Sequence, residues 1–307
     1  MSILQVFKPN GPSGFGYGST AEQVTEGISL EGKTFLVTGC NSGIGLESMR
    51  VLALRGATVI GTGRTIERAK AACESVSGKT IPLACELSDP ASVQACVAAT
   101  KDRKIKLDGI IANAGIMALP KLEKYFGYEA QFFTNHIGHF ILVTGLLDEL
   151  ADDARIVMVS SDAHLRAPKE GIAFDNLDGS KRYTPFEAYG QSKIANLLFA
   201  KELARKFAGT KKTANAVHPG VIKTNLTRSM NPLVAVVFAI ASPLALKSVP
   251  QGAATQVYVA TNPKAASQSG EYWKDSNVAE PLRIVNDEAL AKKLWKTSEE
   301  IVARLRS

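Results

Sequence analysis

Residues 34–55 read TFLVTGCNSGIGLESMRVLALR, and the pattern changes twice within them. Thr34–Thr38 is an apolar, β-branched run, as expected of a strand buried on both faces. Gly39, Gly43 and Gly45 then fall close together, and from Ile44 onward apolar residues recur at helical spacing. Such a strand–loop–helix unit lets the backbone turn tightly and approach a pyrophosphate. The helix N-terminus adds unpaired N–H groups and the positive end of its dipole. The spacing is G-x-x-x-G-x-G rather than G-x-G-x-x-G, so the setting in a first βα unit carries the reading more than the glycines do.

Outward from this unit the alternation continues. TVIGT (58–62) precedes ERAKAACESV (67–76), and LDGIIAN (107–113) precedes YEAQFFTNHIGHFILVTGLL (128–147). RIVMVS (155–160) precedes AYGQSKIANLLFAKEL (188–203), and TANAVH (213–218) closes the series. No repeat or low-complexity linker divides these segments. They predict one doubly wound α/β domain of the Rossmann type over residues 30–307, with about seven parallel strands and helices on both faces. Residues 1–29 form a glycine-rich lead-in, where Ser19-Thr20-Ala21-Glu22 fits a capping box and predicts a short helix before Gly27.

Bulk properties narrow the function. The 307 residues are 45% hydrophobic, enough for a large core. Lys plus Arg number 36 against 29 acids, a net charge of +7, yet no basic run exceeds two residues, as at Lys211-Lys212. A nucleic-acid partner is therefore not expected. Four cysteines without a C-x-x-C pair, and no apolar leader in MSILQVFKPNG, suggest reduced thiols and a cytoplasmic setting. The most apolar stretch, 232–247, is too short to span a membrane and is broken by Pro243. It is expected to be part of a lid at about 228–249, with peripheral contact to a membrane surface as a further expectation.

The dinucleotide type is legible at the end of the second strand. An NAD site uses Asp or Glu there to hold the ribose 2′-hydroxyl, whereas the chain reads IGTGRT (60–65), with Arg64 and no acid before Glu67. A guanidinium pairs with a 2′-phosphate that a carboxylate would repel. The expected cofactor is NADPH/NADP+, with NADH disfavoured.

Tyr189 and Lys193 stand four residues apart at a helix start and so project from one face. Taken with the T-G-x-x-x-G-x-G loop and Asn113-Ala114-Gly115, this Y-x-x-x-K pair resembles the short-chain dehydrogenase/reductase family from about Lys33 to the C-terminus. NHIGHF (135–140), VSSDAH (159–164), VHPGVIKT (217–224) and QGAATQVY (251–258) are similar to the branch holding retinol dehydrogenases, WW-domain oxidoreductases and Tic32-like proteins. The resemblance implies that Tyr189 exchanges a proton with the substrate oxygen and Ser161 holds that oxygen. Lys193 would bind the nicotinamide ribose and lower the tyrosine pKa, and Asn135 would keep a water in the proton path. It further assigns cofactor contacts to Asn41, Ser42 and Ile44 in the loop, to Glu86 and Leu87 in ACELSD (84–89), and to Asn113, Ala114 and Gly115. Pro219, Gly220, Ile222 and Thr224 would fix the nicotinamide carboxamide.

Elementary chemistry supports the pair independently. A phenol titrates near 10, and a cation a few ångströms away stabilises the phenolate by about 1.4 kcal/mol per unit of depression. Ser160 and Ser161 are adjacent and face opposite sides of a strand, so only one can serve; the resemblance favours Ser161. Glu86 departs from the Asp usual in relatives. His136, His139 and His164 lie without a metal-ligand motif, so no metal is expected.

The expected activity is hydride transfer between NADPH and a lipophilic ketone or aldehyde, interconverted with its alcohol in a pocket walled by Met117, Leu119, Leu165 and Met230. Two rivals remain: a non-catalytic NADP(H)-binding regulator, which a missing Tyr or Lys would favour, and a nucleotide-sugar epimerase, whose loop would read T-G-x-x-G-x-x-G. The resemblance also implies pairing into a homodimer or homotetramer through the helices carrying Asn135 and Tyr189.

Overall fold

The computed structural model describes residues 9–222 and 246–305. Strands β1 (Thr34–Val37), β2 (Thr58–Gly63), β3 (Lys79–Ala84), β4 (Leu107–Ala112), β7 (Leu150–Val159), β8 (Thr213–His218), β9 (Tyr272–Lys274) and β10 (Asn277–Ala279) form one sheet in the order β10-β9-β8-β7-β4-β1-β2-β3. Seven are parallel, and β10 returns antiparallel on β9, so the sheet has one strand more than the sequence predicts. β5 (Lys124–Tyr125) and β6 (Tyr128–Glu129) make a separate hairpin.

The central strands carry apolar residues toward both faces because each face of the sheet has its own core. Leu36, Ile60, Ile110, Ile156 and Met158 point into one cluster, while Phe35, Val37, Val59, Ile111 and Val157 point into the other. On the second face lie α1 (Ala21–Val24), α2 (Gly43–Leu54), α3 (Ile66–Glu74) and α7 (Val249–Thr261). On the first lie α4 (Pro90–Lys101), α5, α6 (Pro185–Lys206) and α8 (Glu288–Arg304). We define α5 as the continuous run of Ala130–Phe132, a π-helical turn at Phe133–Ile137 and Gly138–Gly145. Each fully buried Leu, Ile or Phe of these clusters contributes roughly 1.5–3 kcal/mol.

Helix α6 begins at Thr184 with Pro185 in its first turn, where the missing N–H costs nothing. Tyr189 through Ala200 are all buried, since the sheet lies under the helix and α8 over it. Trp295 of α8 packs edge-on to Phe140 at 5.0 Å and against Phe199 at 5.5 Å, and Ser298 is buried there. The helices through which the resemblance implied subunit pairing are thus covered by the chain's own α8.

The lead-in is fastened to the domain. Asn277 accepts the Ser13 N–H, Lys264 Nζ donates to Ser13 O, and Phe15 packs edge-on to Tyr258. The short helix α1 forms, but its capping box pairs Thr20 with Gln23 rather than Ser19 with Glu22. Ser19 instead receives the Gly16 N–H. Among the described residues no helix is long and apolar enough to cross a membrane. Thr224, Met230 and most of the 228–249 stretch lie outside the described residues.

Candidate active site

The parallel strands deliver their carboxyl ends to one edge, where β1 and β4 diverge into opposite-running halves of the sheet. Ligands of open α/β sheets bind at such a switch point. β1 is followed by Thr38, whose carbonyl accepts the Asn113 Nδ2–H at 2.8 Å, so the first loop and the Asn113-Ala114-Gly115 segment are joined. Gly39 has φ +73°, and a Cβ there would fall 2.9 Å from that of Ala114. Gly43 also lies in the left-handed region, at φ 61°.

These residues fit a dinucleotide pyrophosphate. Asn41 and Ser42 are exposed, and Ser42 at the start of α2 makes no side-chain cap, which leaves the first-turn N–H groups for an anion. Ile44 is partly buried beside Gly252. Gly45 has no room for a side chain, since its Cβ would meet Asn113 Nδ2 at 2.5 Å.

At the adenine end the arrangement differs from expectation. Arg64 lies past β2, largely exposed, with Nε 3.7 Å from Glu86 Oε2. The other Glu86 oxygen accepts from the Ser88 N–H and hydroxyl. Glu86 is therefore engaged by protein groups, and the Leu87 side chain is buried in the core.

Asn135, Ser161, Tyr189 and Lys193 come from three separate elements. Ser161 follows β7, and its Oγ accepts the Ala163 N–H at 3.1 Å and lies beside the Tyr189 hydroxyl. Ser160 turns the other way and donates to Lys193 O at 2.8 Å, which leaves Ser161 as the serine facing Tyr189. Lys193 is 3% exposed; its Nζ donates to Val159 O at 3.0 Å and stands 5.5 Å from the centroid of the Tyr189 ring. Asn135 sits in the π-helical turn, a feature frequent at functional sites. Its side chain accepts the Ile116 N–H at 2.8 Å and donates to Ile116 O and to Ser192 Oγ, both at 2.9 Å.

Two residues of α6 that sequence reasoning passed over complete this packing. Ser192 receives Asn135 and donates to Tyr189 O at 2.8 Å, tying the two helices together. Gly190 lets α6 approach the Ser161 segment, since a Cβ there would lie 2.6 Å from Ala163 O. Both stand inside YGQSK, where only the Tyr and Lys carry a signal readable without the fold.

Burial dominates the electrostatics. It pushes Lys193 down to about 8. It pushes Tyr189 up to about 12, against the opposing pull of the Ser161 hydroxyl. The protein's own groups therefore do not lower the phenol as expected: both charged forms lose hydration, and that loss outweighs their proximity.

Beyond β8, Pro219 is buried and Gly220 (φ +94°) packs on the stem of Lys247. Ile222 forms a parallel bridge with Lys247 and touches the Cα face of Gly252. Of the pocket residues, Met117 is half-buried, Leu119 is buried with its carbonyl accepting the Tyr183 hydroxyl, and Leu165 is 59% exposed. A mixed-charge cavity of about 330 Å³ among Glu129, Tyr183, Glu187 and Gln191 includes none of the four expected catalytic residues. The histidines have ordinary partners: His136 pairs with Ser298, and His164 bonds Ser161 O and Leu282 N–H.

The fold and the glycine loop define a Rossmann-type oxidoreductase that takes a nicotinamide cofactor. A family model described as short chain dehydrogenase matches residues 33–234, and the chain belongs to that family. It is 41% identical to the short-chain dehydrogenase TIC 32 A, chloroplastic, of Brassica napus, over 96% of each chain. Its identity to retinol dehydrogenase 12 of Mus musculus is 36%, over 91% of this chain and 89% of the other. Among solved structures, an uncharacterized protein from Mycobacterium paratuberculosis superposes with TM-score 0.75 at 32% identity, over 91% of this chain and 97% of that one. A short chain dehydrogenase from Burkholderia cenocepacia in complex with NADP superposes with TM-score 0.65 at 25% identity, over 80% and 96%.

Proposed function

We propose that the protein reduces a lipophilic ketone or aldehyde to its alcohol with NADPH, the reaction being reversible. The observation that carries this reading is the convergence of Tyr189, Lys193, Ser161 and Asn135 from α6, β7 and α5 beside the glycine loop. An NADP-bound neighbour supports the cofactor, and the likeness to a retinol dehydrogenase supports a lipophilic substrate.

A nicotinamide supplies or accepts the hydride when bound. Tyr189 gives its phenolic proton to the substrate oxygen as charge builds there, which its high pKa favours by keeping it protonated. Ser161 Oγ, held by the Ala163 N–H, keeps its own proton for that same oxygen. Lys193 holds the nicotinamide ribose and carries positive charge next to the phenol. Asn135 braces the Ile116 backbone and, through Ser192, the turn of α6 carrying Tyr189. Gly39, Asn41, Ser42, Gly43, Ile44 and Gly45 would hold the pyrophosphate, and Asn113, Ala114 and Gly115 the adenosine half. Arg64 would pair with the 2′-phosphate in place of Glu86, and Pro219, Gly220, Ile222 and, by the sequence resemblance alone, Thr224 would hold the carboxamide. Met117 and Leu165, with Met230 by sequence alone, would give the substrate an apolar surface. A cytoplasmic setting with peripheral membrane contact through 228–249 belongs to the same proposal.

The test is NADPH and NADH oxidation by the purified protein over a panel of lipophilic aldehydes and ketones, beside Tyr189→Phe. Turnover with NADPH that disappears in the variant supports the reading. Tight NADPH binding with no reduction of any carbonyl would replace it with the regulator.

A further inference from the structure

We propose that His139 is a positioning residue, tying the turn that presents Asn135 to the cofactor-facing ends of β1 and β4. This rests on the functional reading above. His139 is fully buried on α5, one turn beyond Asn135. Its Nδ1 lies 2.9 Å from the main-chain carbonyl of Asn135, and its Nε2 lies 2.9 Å from Thr38 Oγ1. A carbonyl can only accept, so Nδ1 carries the proton and Nε2 is the acceptor. Thr38 must then donate its hydroxyl proton to Nε2. Its oxygen keeps its lone pairs, and it receives the N–H groups of Asn113 and Ala114, both at 2.9 Å.

The result is a single directed chain with no mismatched member. It runs from the Asn113 and Ala114 N–H groups to Thr38, from Thr38 to the imidazole, and from the imidazole to Asn135. Burial pushes His139 down to about 4, so the neutral ring that this order requires persists across the working range. The side chain of Asn135 grips Ile116 and Ser192 at the same time, so the residue is held at both its carbonyl and its amide. Asn113 and Ala114 lie against Gly39 of the loop, so the ring fixes the cofactor cradle and the Asn135 turn relative to each other. Burial alone also calls for both nitrogens to be partnered; what marks this ring is that its two partners are Thr38, which holds Asn113 and Ala114, and the carbonyl of Asn135.

The experiment compares His139→Leu, His139→Gln and Thr38→Val with the wild type. Each is checked for folding by circular dichroism and a thermal melt. NADPH affinity is read by fluorescence titration, and kcat and KM are read with a carbonyl that the wild type reduces. His139→Leu removes both bonds and is expected to weaken NADPH binding and lower kcat by about tenfold each, with KM for the carbonyl little changed. His139→Gln offers an amide donor and a carbonyl acceptor in the same order, and is expected to recover most of the loss. Thr38→Val removes the same bond together with those from Asn113 and Ala114, so its loss should be at least as large, and the double variant with His139→Leu should be no worse than Thr38→Val alone. If His139→Leu fails to fold, His139→Gln against His139→Met, which fills the space without the matched polar atoms, carries the comparison. Wild-type affinity and kcat in His139→Leu with only a lower melting temperature would overturn the proposal. So would a His139→Gln variant as impaired as His139→Leu, or losses that add in the double variant. A wild type that binds NADPH but reduces no carbonyl would remove the functional reading, while the affinity comparison would still decide the role of His139.

Discussion

Lys193 Nζ donates to the carbonyl of Val159, and the same carbonyl accepts the Asn196 Nδ2–H at 3.2 Å. Removing the lysine therefore leaves the carbonyl partnered. The ammonium itself is costly, since burial lowers its pKa from 10.5 to about 8. At pH below 8 the folded state bears that cost in full, and it is relieved as pH rises from 8 towards 10.5. We expect Lys193→Met to abolish turnover yet to unfold in urea with a free energy about 1–3 kcal/mol higher at pH 7. The gain should shrink by pH 10; an unchanged or lower stability at pH 7 would contradict the assignment.

The same two groups set the alkaline limb of the reduction. Tyr189 stays protonated well past pH 10, so the proton donor is not the group lost first. We expect kcat/KM measured against cofactor concentration to fall as pH rises through about 8, where Lys193 loses its charge. A limb near 10 would mean that Lys193 keeps its charge past 8, against the effect of its burial.

Arg64, proposed above to pair with the 2′-phosphate, has a guanidinium already shared with Glu86. Arg64→Ala should raise KM for NADPH by about tenfold and leave NADH nearly unaffected. Glu86→Gln removes the competitor and should tighten NADPH by a few-fold. Initial rates with both cofactors decide; equal effects on the two would show that Arg64 does not read the phosphate.

Gly190 stands between the two reactive residues where α6 meets the Ser161 segment. In Gly190→Ala the new methyl would press on Ala163 O and Ala167 N, at 2.6 and 2.8 Å. We expect a loss of about 1–3 kcal/mol in urea unfolding and a fall in kcat larger than any change in KM.

Helix α8 occupies the outer side of α5 and α6 with Leu294, Trp295, Ser298 and Ile301. Light scattering coupled to gel filtration should accordingly report the mass of one chain, 32.7 kDa. A mass of two or four chains would show that the cover of α8 does not prevent pairing.

The βα alternation and the glycine loop were legible because their signals are local: a run of β-branched residues, a turn that needs glycine, a helix start. The resemblance favoured Ser161 over Ser160; in the fold Ser160 turns away from Tyr189 and donates to Lys193 O, a long-range contact that the sequence could not display. β3 escaped notice because it carries Lys79 and Pro82, which an edge strand tolerates and a central one does not. β9 and β10 were too short to leave a periodic trace. What the sequence hid was long-range. The Arg64–Glu86 pair and the cover of α8 over α6 join distant segments, and the rise of the Tyr189 pKa depends on how deeply the ring is enclosed.

The bridge between Ile222 and Lys247 brings two positions far apart in sequence to one point. Lys247 also pairs with Asp275 between β9 and β10, and its stem lies against Gly220. In engineering terms Lys247 is a rivet: a change there is expected to loosen Gly220, Ile222 and the edge of the sheet together rather than one at a time.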